Sequence, residues 1–258
     1  MRIDIVTPSR SQPRQSEYLA RMISSVAQQK ANRPIEFRIL VGLDPGAAEP
    51  ELPGGASPIA LRFARGGMAS QAAALNAALA LADSDYIAFL EDDDSWSEGF
   101  CQSALDAMAR VDADMHSSNQ VVRDQEGKYL GISDFPTPSS WLIKAEACRR
   151  VGPMDVEYRY HLDHDWLGRA REQGLRRVHV MEQTAPRSPA LLRDFRPILA
   201  IIARQGTPLV PIDKPLPLVH RIEHEYSGMM AISKGGAAEE RSRLEKTALK
   251  AKYGRLPF

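Results

Sequence analysis

The chain has 258 residues, 43% of them hydrophobic and 26% charged, a balance that excludes a wholly disordered polymer and allows a core without disulfide or metal staples. The 33 Lys and Arg offset the 33 Asp and Glu, so no global field draws nucleic acid or an anionic membrane, and no nucleic-acid partner is expected. Two cysteines, Cys101 and Cys148, cannot build a disulfide framework and read as small buried apolar residues. No run reaches the roughly 18 apolar residues of a membrane span, and residues 1–10 lack the apolar stretch of a signal peptide, so the expected location is the cytoplasm.

Ile3, Ile5 and Val6 predict a buried strand that ends in a loop at Thr7-Pro8-Ser9. Leu19, Met22, Ile23 and Val26 fall on one helix face. Phe37 to Val41 predict a second strand, closed by Gly42 to Gly46, and Pro50, Pro53, Gly54 and Gly55 mark a loop. Ile59, Leu61 and Phe63 alternate as a third strand, and Gly66-Gly67 breaks the chain before an Ala-rich helix over 69–82. Tyr86 to Leu90 is apolar throughout, as in a parallel strand covered on both faces. The first ~110 residues therefore predict β-α-β-β-α-β-α, an α/β sheet, whose ligand should sit beyond the carboxyl ends of the strands, at Thr7–Arg10, Asp44 and Glu91–Asp94. Further on, 114–122 predicts one strand, 145–151 a short helix stopped by Gly152, 163–173 a helix stopped by Gly174, and 177–181 a strand. Residues 186–197 read as a polar loop, Pro208, Pro211, Pro215 and Pro217 favour extended chain, and 238–253 is a charged helix.

Glu91-Asp92-Asp93-Asp94 directly follow a buried strand. Adjacent carboxylates repel unless a cation lies between them, and hard divalent ions take such oxygen ligands together with substrate phosphates. Extended chain would put Glu91 and Asp93 on one side. The same residues, with Ser95 or Ser97, also suit the start of the helix near Glu98, and the two readings are compatible. No G-x-G-x-x-G follows the first strand and no G-x-x-x-x-G-K-[ST] occurs, which argues against a Rossmann dehydrogenase or a P-loop NTPase.

Phe89-Leu90-Glu91-Asp92-Asp93-Asp94-Ser95-Trp96 resembles the strand and D-x-D signature of family 2 glycosyltransferases, and Gly66 to Ala72 through Asn76 resembles the entry to the helix before it. The resemblance covers about residues 1–180, with a weaker echo to about 227. It implies a GT-A-type α/β fold: a Rossmann-like mixed sheet with helices on both faces and an irregular C-terminal acceptor part. Residues 1–110 would be the donor-binding half, 111–235 the acceptor and base half, and 236–258 a C-terminal helix. The implied activity is metal-dependent, inverting transfer of a sugar from a nucleotide-sugar donor, UDP-linked by expectation, to a hydroxyl of a glycan, lipid-linked or small-molecule acceptor, in polysaccharide or glycoconjugate synthesis.

By this resemblance Asp93 ligates Mn²⁺ or Mg²⁺, and Glu91, standing where the family usually has Asp, reaches a sugar or ribose hydroxyl. Thr7, Pro8, Ser9 and Arg10 stand where the family cradles base and ribose, Asp44 where it meets the base, and Asp92, Arg65 and Asn76 belong to the same donor pocket. Asp44 also reads as a turn residue before Pro45, Arg10 as a solvated cation, and Gly66-Gly67 as a flexible loop beside Arg65. In His161-Leu162-Asp163-His164-Asp165, Asp163 takes the base position, with Leu162 in place of the usual Glu, and Asp165, about 200° away on a helix, is the fallback. A helix cap is the other reading of Asp163, and His161 and His164 read as surface or capping histidines. Ser139, Ser140 and Trp141 would line the acceptor side, and a core Trp is equally open. His220 to Ser227 resembles the family's R-x-H-x-x-S ending, with His224 on the metal or diphosphate and Arg221 on phosphate; a polar loop is the alternative. The basic residues from Arg241 to Arg255 read as a solvated helix face, with peripheral contact to an anionic inner-membrane surface as the second reading. A nucleotidyltransferase, or a nucleotide-sugar-binding protein without turnover, are the alternative functions. The first would need a basic motif in the first loop, where Arg10 and Arg14 are thin support.

Overall fold

The computed structural model describes residues 1–10, 14–52, 57–183 and 196–258, the side chains of 196 and 197 excepted. The loop residues Pro53, Gly54 and Gly55, and the expected loop from 186 as far as 195, lie outside the described residues. In chain order the elements are β1 (Arg2–Ser9), α1 (Gln15–Ala27), β2 (Glu36–Leu43), β3 (Ala60–Arg65), α2 (Gln71–Leu79), β4 (Tyr86–Phe89), β5 (Ser95–Trp96) and α3 (Phe100–Arg110). There follow β6 (Met115–Ser118), β7 (Gln120–Arg123), β8 (Tyr129–Ser133), a 3₁₀ turn at Pro138–Ser140, β9 (Leu142–Lys144), α4 (Ala145–Val151), α5 (Leu162–Glu172) and β10 (Arg177–Glu182). The last elements are α6 (Arg196–Arg204), β11 (Leu209–Ile212), β12 (Val219–Ile222), α7 (Gly228–Ser233) and α8 (Ala237–Tyr253).

Eight strands form one mixed sheet in the order β11-β10-β6-β9-β4-β1-β2-β3. All neighbours are parallel except β9, which runs antiparallel between β4 and β6. Side-chain alternation sends Ile3, Ile5, Ala88 and Leu90 to one core with α1 and α3, and Val6, Ile87 and Phe89 to the other with α2, α4 and α5. Both faces are thus covered, which is why β1 and β4 are apolar almost without a break. Two glycines set the fit of α2. A Cβ on Gly42 would lie 1.9 Å from the Ala74 carbonyl oxygen, and one on Gly66 2.9 Å from the Ala73 carbonyl carbon. Gly66 is buried here, so close packing accounts for it rather than loop flexibility or an approach to phosphate.

A smaller sheet, β5-β12-β7-β8, lies at the carboxyl end of β4. Here the expected strand over 114–122 divides: Met115–Ser118 joins the large sheet and Gln120–Arg123 the small one. Asn119 is the break, its backbone N–H donating to the Val180 carbonyl at 3.0 Å. The end of the expected 186–197 loop also differs, since α6 starts at Arg196. Cys101 and Cys148 are both buried and unpaired. Among the described residues no helix is long and apolar enough to cross a membrane.

Candidate active site

The carboxyl ends of β1 and β4, paired in parallel, meet at the acidic quartet. β4 ends at Phe89, and the following four carboxylates precede β5, not a helix. α3 starts only at Phe100, has no acidic residue in its first turn, and is entered through Gly99 at φ 84°. The helix-start reading therefore fails: Ser95 lies in β5, and Ser97 Oγ sits 2.6 Å from His220 Nε2. Two-residue β5 pairs antiparallel with β12, and this pairing brings the distant segment 219–224 over the quartet.

Each carboxylate is held from a different element. The Ser139 hydroxyl oxygen accepts the Glu91 backbone N–H (3.1 Å), while the Gln71 amide at the start of α2 donates to Glu91 Oε1 (2.8 Å). His224 Nε2 donates to Asp93 Oδ2 (2.7 Å), and the Arg21 guanidinium holds the Asp93 carbonyl (2.6 Å). The Ile222 N–H donates to Asp94 Oδ1 at 3.2 Å. Tyr18 packs beside the His224 ring with centroids 5.6 Å apart, and Arg21 lies over Tyr18. Oxygens of Glu91, Asp93 and Asp94 lie within 4.8 Å of one another.

The electrostatics among these carboxylates are unfavourable. Burial, and then the charge of Asp93, push Glu91 up to about 7; Arg221 and Gln71 oppose the rise, and nearby Asp163 adds to it. Burial and Asp93 likewise raise Asp92 and Asp94 well above the usual carboxylate range. Asp92 Oδ2, Asp93 Oδ1, His224 Nδ1 and Thr7 Oγ1 are all buried without a hydrogen-bond partner. Such orphans are costly and rare, and here they cluster with like charges. An oxygen-rich donor set carrying one imidazole fits a divalent cation.

The donor-side residues of the sequence reading divide. Thr7 and Ser9 are buried at the end of β1, where Ser9 bonds Asp92 and accepts from Gln15. Pro8 pairs with Gly42, and Arg10 follows directly, so β1 continues through the expected loop. Asp44 closes a turn through its carbonyl, which accepts from Ala47 N–H (3.1 Å); its carboxylate makes no hydrogen bond among the described residues. Arg221 is half-buried and acts on Glu91 and Asp94. Arg65 and Asn76 are engaged with other parts of the fold. The Arg65 guanidinium is committed to the Ala47 carbonyl (3.1 and 3.2 Å) and Glu49, bracing the loop after β2. The Asn76 amide is consumed by the Met154 backbone, donating at 2.8 Å and accepting at 2.7 Å.

Of the residues expected on the acceptor side, all three are buried. Trp141 is fully buried between Phe89 and Trp166, with its indole N–H on the Pro136 carbonyl. It is a core residue, not a sugar platform. Ser140 Oγ donates to the Thr137 carbonyl, and Ser139 lies beneath the quartet, bonded to Glu91 and Asp94 and accepting the Trp96 indole N–H on its carbonyl.

On α5 the two aspartates separate as the helical angle requires. Asp163 is in the first turn and is not its cap, which is His161. Asp165 is fully buried on the other side. Arg169 Nε donates to its Oδ2, and Lys252 Nζ and the Tyr253 hydroxyl donate to its Oδ1, each at 2.8 Å. These three bonds hold Asp165 in the contact between α5 and α8, whereas Asp163 is the aspartate whose charge reaches Glu91. His161 and His164 are buried, not surface residues, and tie α5 to Ser242 of α8 and to the Pro257 carbonyl. In α8, Arg241 pairs with buried Glu245 and Arg243 with Glu240, so its basic residues are partly neutralised within the fold. A cavity of about 320 Å³ between Met115 and Arg177, at the amino ends of β6 and β10, contains none of these site residues.

Sequence reasoning left Tyr18, Arg21 and Gln71 unassigned. The first two lie three apart on α1, off its apolar stripe, a signal that becomes readable only when Asp93 is known to face that helix.

No curated protein matches the sequence. Among solved structures, S. aureus TarS residues 1–349 in complex with UDP-GlcNAc superposes with a TM-score of 0.56 at 12% identity, over 95% of this chain and 65% of that one. The UDP complex of the same fragment gives 0.53 at 10% identity, over 98% of this chain and 72% of that one. S. aureus TarS itself gives 0.52 at 10% identity, over 97% of this chain and 43% of that one. This chain thus spans between 43% and 72% of the length of these TarS structures, and the likeness is one of fold. The sequence match reaches further into the chemistry: residues 4–147, more than half of the chain and the whole span from β1 through the quartet to α4, match Glycosyl transferase family 2. With a GT-A-like mixed sheet carrying an acidic group at its carboxyl edge, the chain belongs to glycosyl transferase family 2.

Proposed function

We propose that the protein transfers a sugar from a nucleoside diphosphate donor, UDP-linked, to an acceptor hydroxyl with inversion, using a divalent cation. The observation that carries this reading is the quartet itself. Buried like charges with unpartnered oxygens on Asp92 and Asp93, and an unpartnered nitrogen on His224, make a donor set whose chemistry fits a divalent cation. Asp93 and His224 would hold Mn²⁺ or Mg²⁺, with Glu91 and Asp94 beside them. When bound, the ion supplies positive charge to the departing diphosphate. Arg221, half-buried beside Glu91 and Asp94, adds charge of the same sign. Thr7 and Ser9 line the nucleoside side, where the orphaned Thr7 hydroxyl has a hydrogen bond to give. Asp163 takes the acceptor proton. It sits near Glu91, and its Oδ1 accepts the His164 N–H (2.9 Å), a single neutral bond that leaves lone pairs on the carboxylate.

The test is calorimetry of UDP with Mn²⁺, followed by transfer assays with UDP-sugars. Asp93→Ala should abolish metal-dependent UDP binding; unchanged affinity would reject the metal assignment. A protein that binds UDP and Mn²⁺ but turns over no UDP-, GDP- or dTDP-sugar would be a binding protein and not a transferase.

A further inference from the structure

We propose that His161, Asp163 and His164 form a second cation site, one for a borderline transition-metal ion such as Zn²⁺ and distinct from the acidic quartet. One ligand atom from each residue lies within 4.8 Å of the others. The donors are two imidazoles and one carboxylate, a set that suits Zn²⁺ and leaves a fourth position open, whereas Mg²⁺ prefers oxygen.

The surroundings of the two rings support this independently of their spacing. A carbonyl only accepts, so the Pro257 carbonyl 2.5 Å from His164 Nδ1 requires the proton there. Nε2 is then the nitrogen left to ligate. His161 Nε2 faces the Ser242 hydroxyl at 2.8 Å, which can take its proton and leave Nδ1 as donor. Metal-bound histidines are oriented by this kind of outer partner, a backbone carbonyl or a side-chain oxygen on the second nitrogen. The His164 ring is further clamped edge-on between Phe135 and Phe258, each with centroids 5.0 Å away. The amino end of α5 disfavours a cation. Against that stand Asp163 and buried Glu245, whose charge also reaches His161 and whose carboxylate receives the N–H groups of Arg159, Tyr160 and His161.

The consequence for catalysis rests on the reading of Asp163 as the base. An ion that takes its carboxylate withdraws it from the acceptor proton, so Zn²⁺ inhibits transfer while leaving Mn²⁺-dependent UDP binding in place.

The experiment uses Co²⁺ as a spectroscopic probe and Zn²⁺ as competitor on the full chain, in excess Mg²⁺ to fill the quartet. The expected result is one Co²⁺ per chain with the visible ligand-field bands of a four-coordinate nitrogen and oxygen site, displaced by Zn²⁺. His161→Ala and, separately, His164→Ala should each weaken binding beyond the ~10–100-fold that losing an outer partner costs, and Ser242→Ala should fall within that range. Should His164→Ala fail to fold, His161→Ala and Ser242→Ala give the same answer. Absence of binding, an all-oxygen spectrum, or affinity unchanged in His161→Ala overturns the site. Metal bound as expected, with transfer unaffected by Zn²⁺, leaves the site standing and refutes Asp163 as the base.

Discussion

Asp163 and Asp165 are two residues apart on one helix, and the fold surrounds them differently, so exchanging each for Asn tests the proposed base separately from stability. Asp165 is fully buried and receives hydrogen bonds from Arg169, Lys252 and Tyr253. Burial opposes its charge, but the bonds from Lys252, Arg169 and Tyr253 prevail and hold it below the usual carboxylate range. Asn keeps the volume and removes the charge. Two charge-assisted bonds fall toward neutral strength, a loss of about 1 kcal/mol each. The new amide N–H₂ must also face Arg169 or Lys252, a donor against a donor, for about 1 kcal/mol more. The sum, about 3 kcal/mol, is at the low end of what breaking a buried pair costs, consistent with Lys252 keeping 42% of its side-chain surface in water. At 258 residues that is a fall in Tm of about 6–12 °C, read by urea and thermal unfolding. Asp163→Asn, whose hydrogen bond from the His164 N–H survives on the amide oxygen, should cost less than about 1 kcal/mol and stop transfer with UDP binding intact. Transfer retained in Asp163→Asn, or Asp165→Asn inactive at full stability, would refute the assignment.

Two further outcomes follow from the same geometry. In the metal-free protein Glu91 takes a proton near pH 7, whereas the unfolded chain does so near 4.5. Its contribution to stability is thus present below about 4.5 and lost as pH rises through about 7. Glu91→Gln should therefore raise the urea midpoint in EDTA at about pH 8, with the gain vanishing toward about pH 4.5; a loss at pH 8, or a gain that ignores pH, contradicts the burial of that charge. Gly42→Ala places a methyl 1.9 Å from the Ala74 carbonyl oxygen, and backbone cannot yield cheaply. The expected cost is about 2–3 kcal/mol, the upper range for overpacking, checked by chemical denaturation; a neutral variant would mean that α2 shifts freely on β2.

What was legible in the sequence followed the reach of local physics. The strands at Ile3–Val6, Phe37–Val41 and Tyr86–Leu90 and the helix face Leu19–Val26 write their burial in their spacing, and all are found where expected. The quartet was legible because no local need explains four carboxylates after an apolar strand. Partner identity was hidden wherever it depends on contacts across the chain. Nothing local distinguishes a Trp that faces a ligand from Trp141, sealed by Trp166. Nor does anything near Asn76 or Arg65 announce that Met154 and Ala47 have claimed their polar groups. Asp163 and Asp165 could be separated by helical angle, but which one faced the site depended on α8, 87 residues after Asp165, where Lys252 takes its Oδ1.

The same contrast locates where the fold tolerates conflict. Away from the site, buried charge is answered: Asp4 by the bidentate Arg38, Asp165 by Arg169, Lys252 and Tyr253, Glu245 by three backbone N–H groups and Arg241. At the quartet the protein had comparable means at hand, since Arg21 and Arg221 both lie close. Arg21 donates to the Asp93 carbonyl and not to a carboxylate, and oxygens of Asp92 and Asp93 are left bare. Among the described residues, the fold answers the buried acids Asp4, Asp165 and Glu245, whereas the unanswered oxygens of Asp92 and Asp93 stand at the carboxyl edge of the central strands.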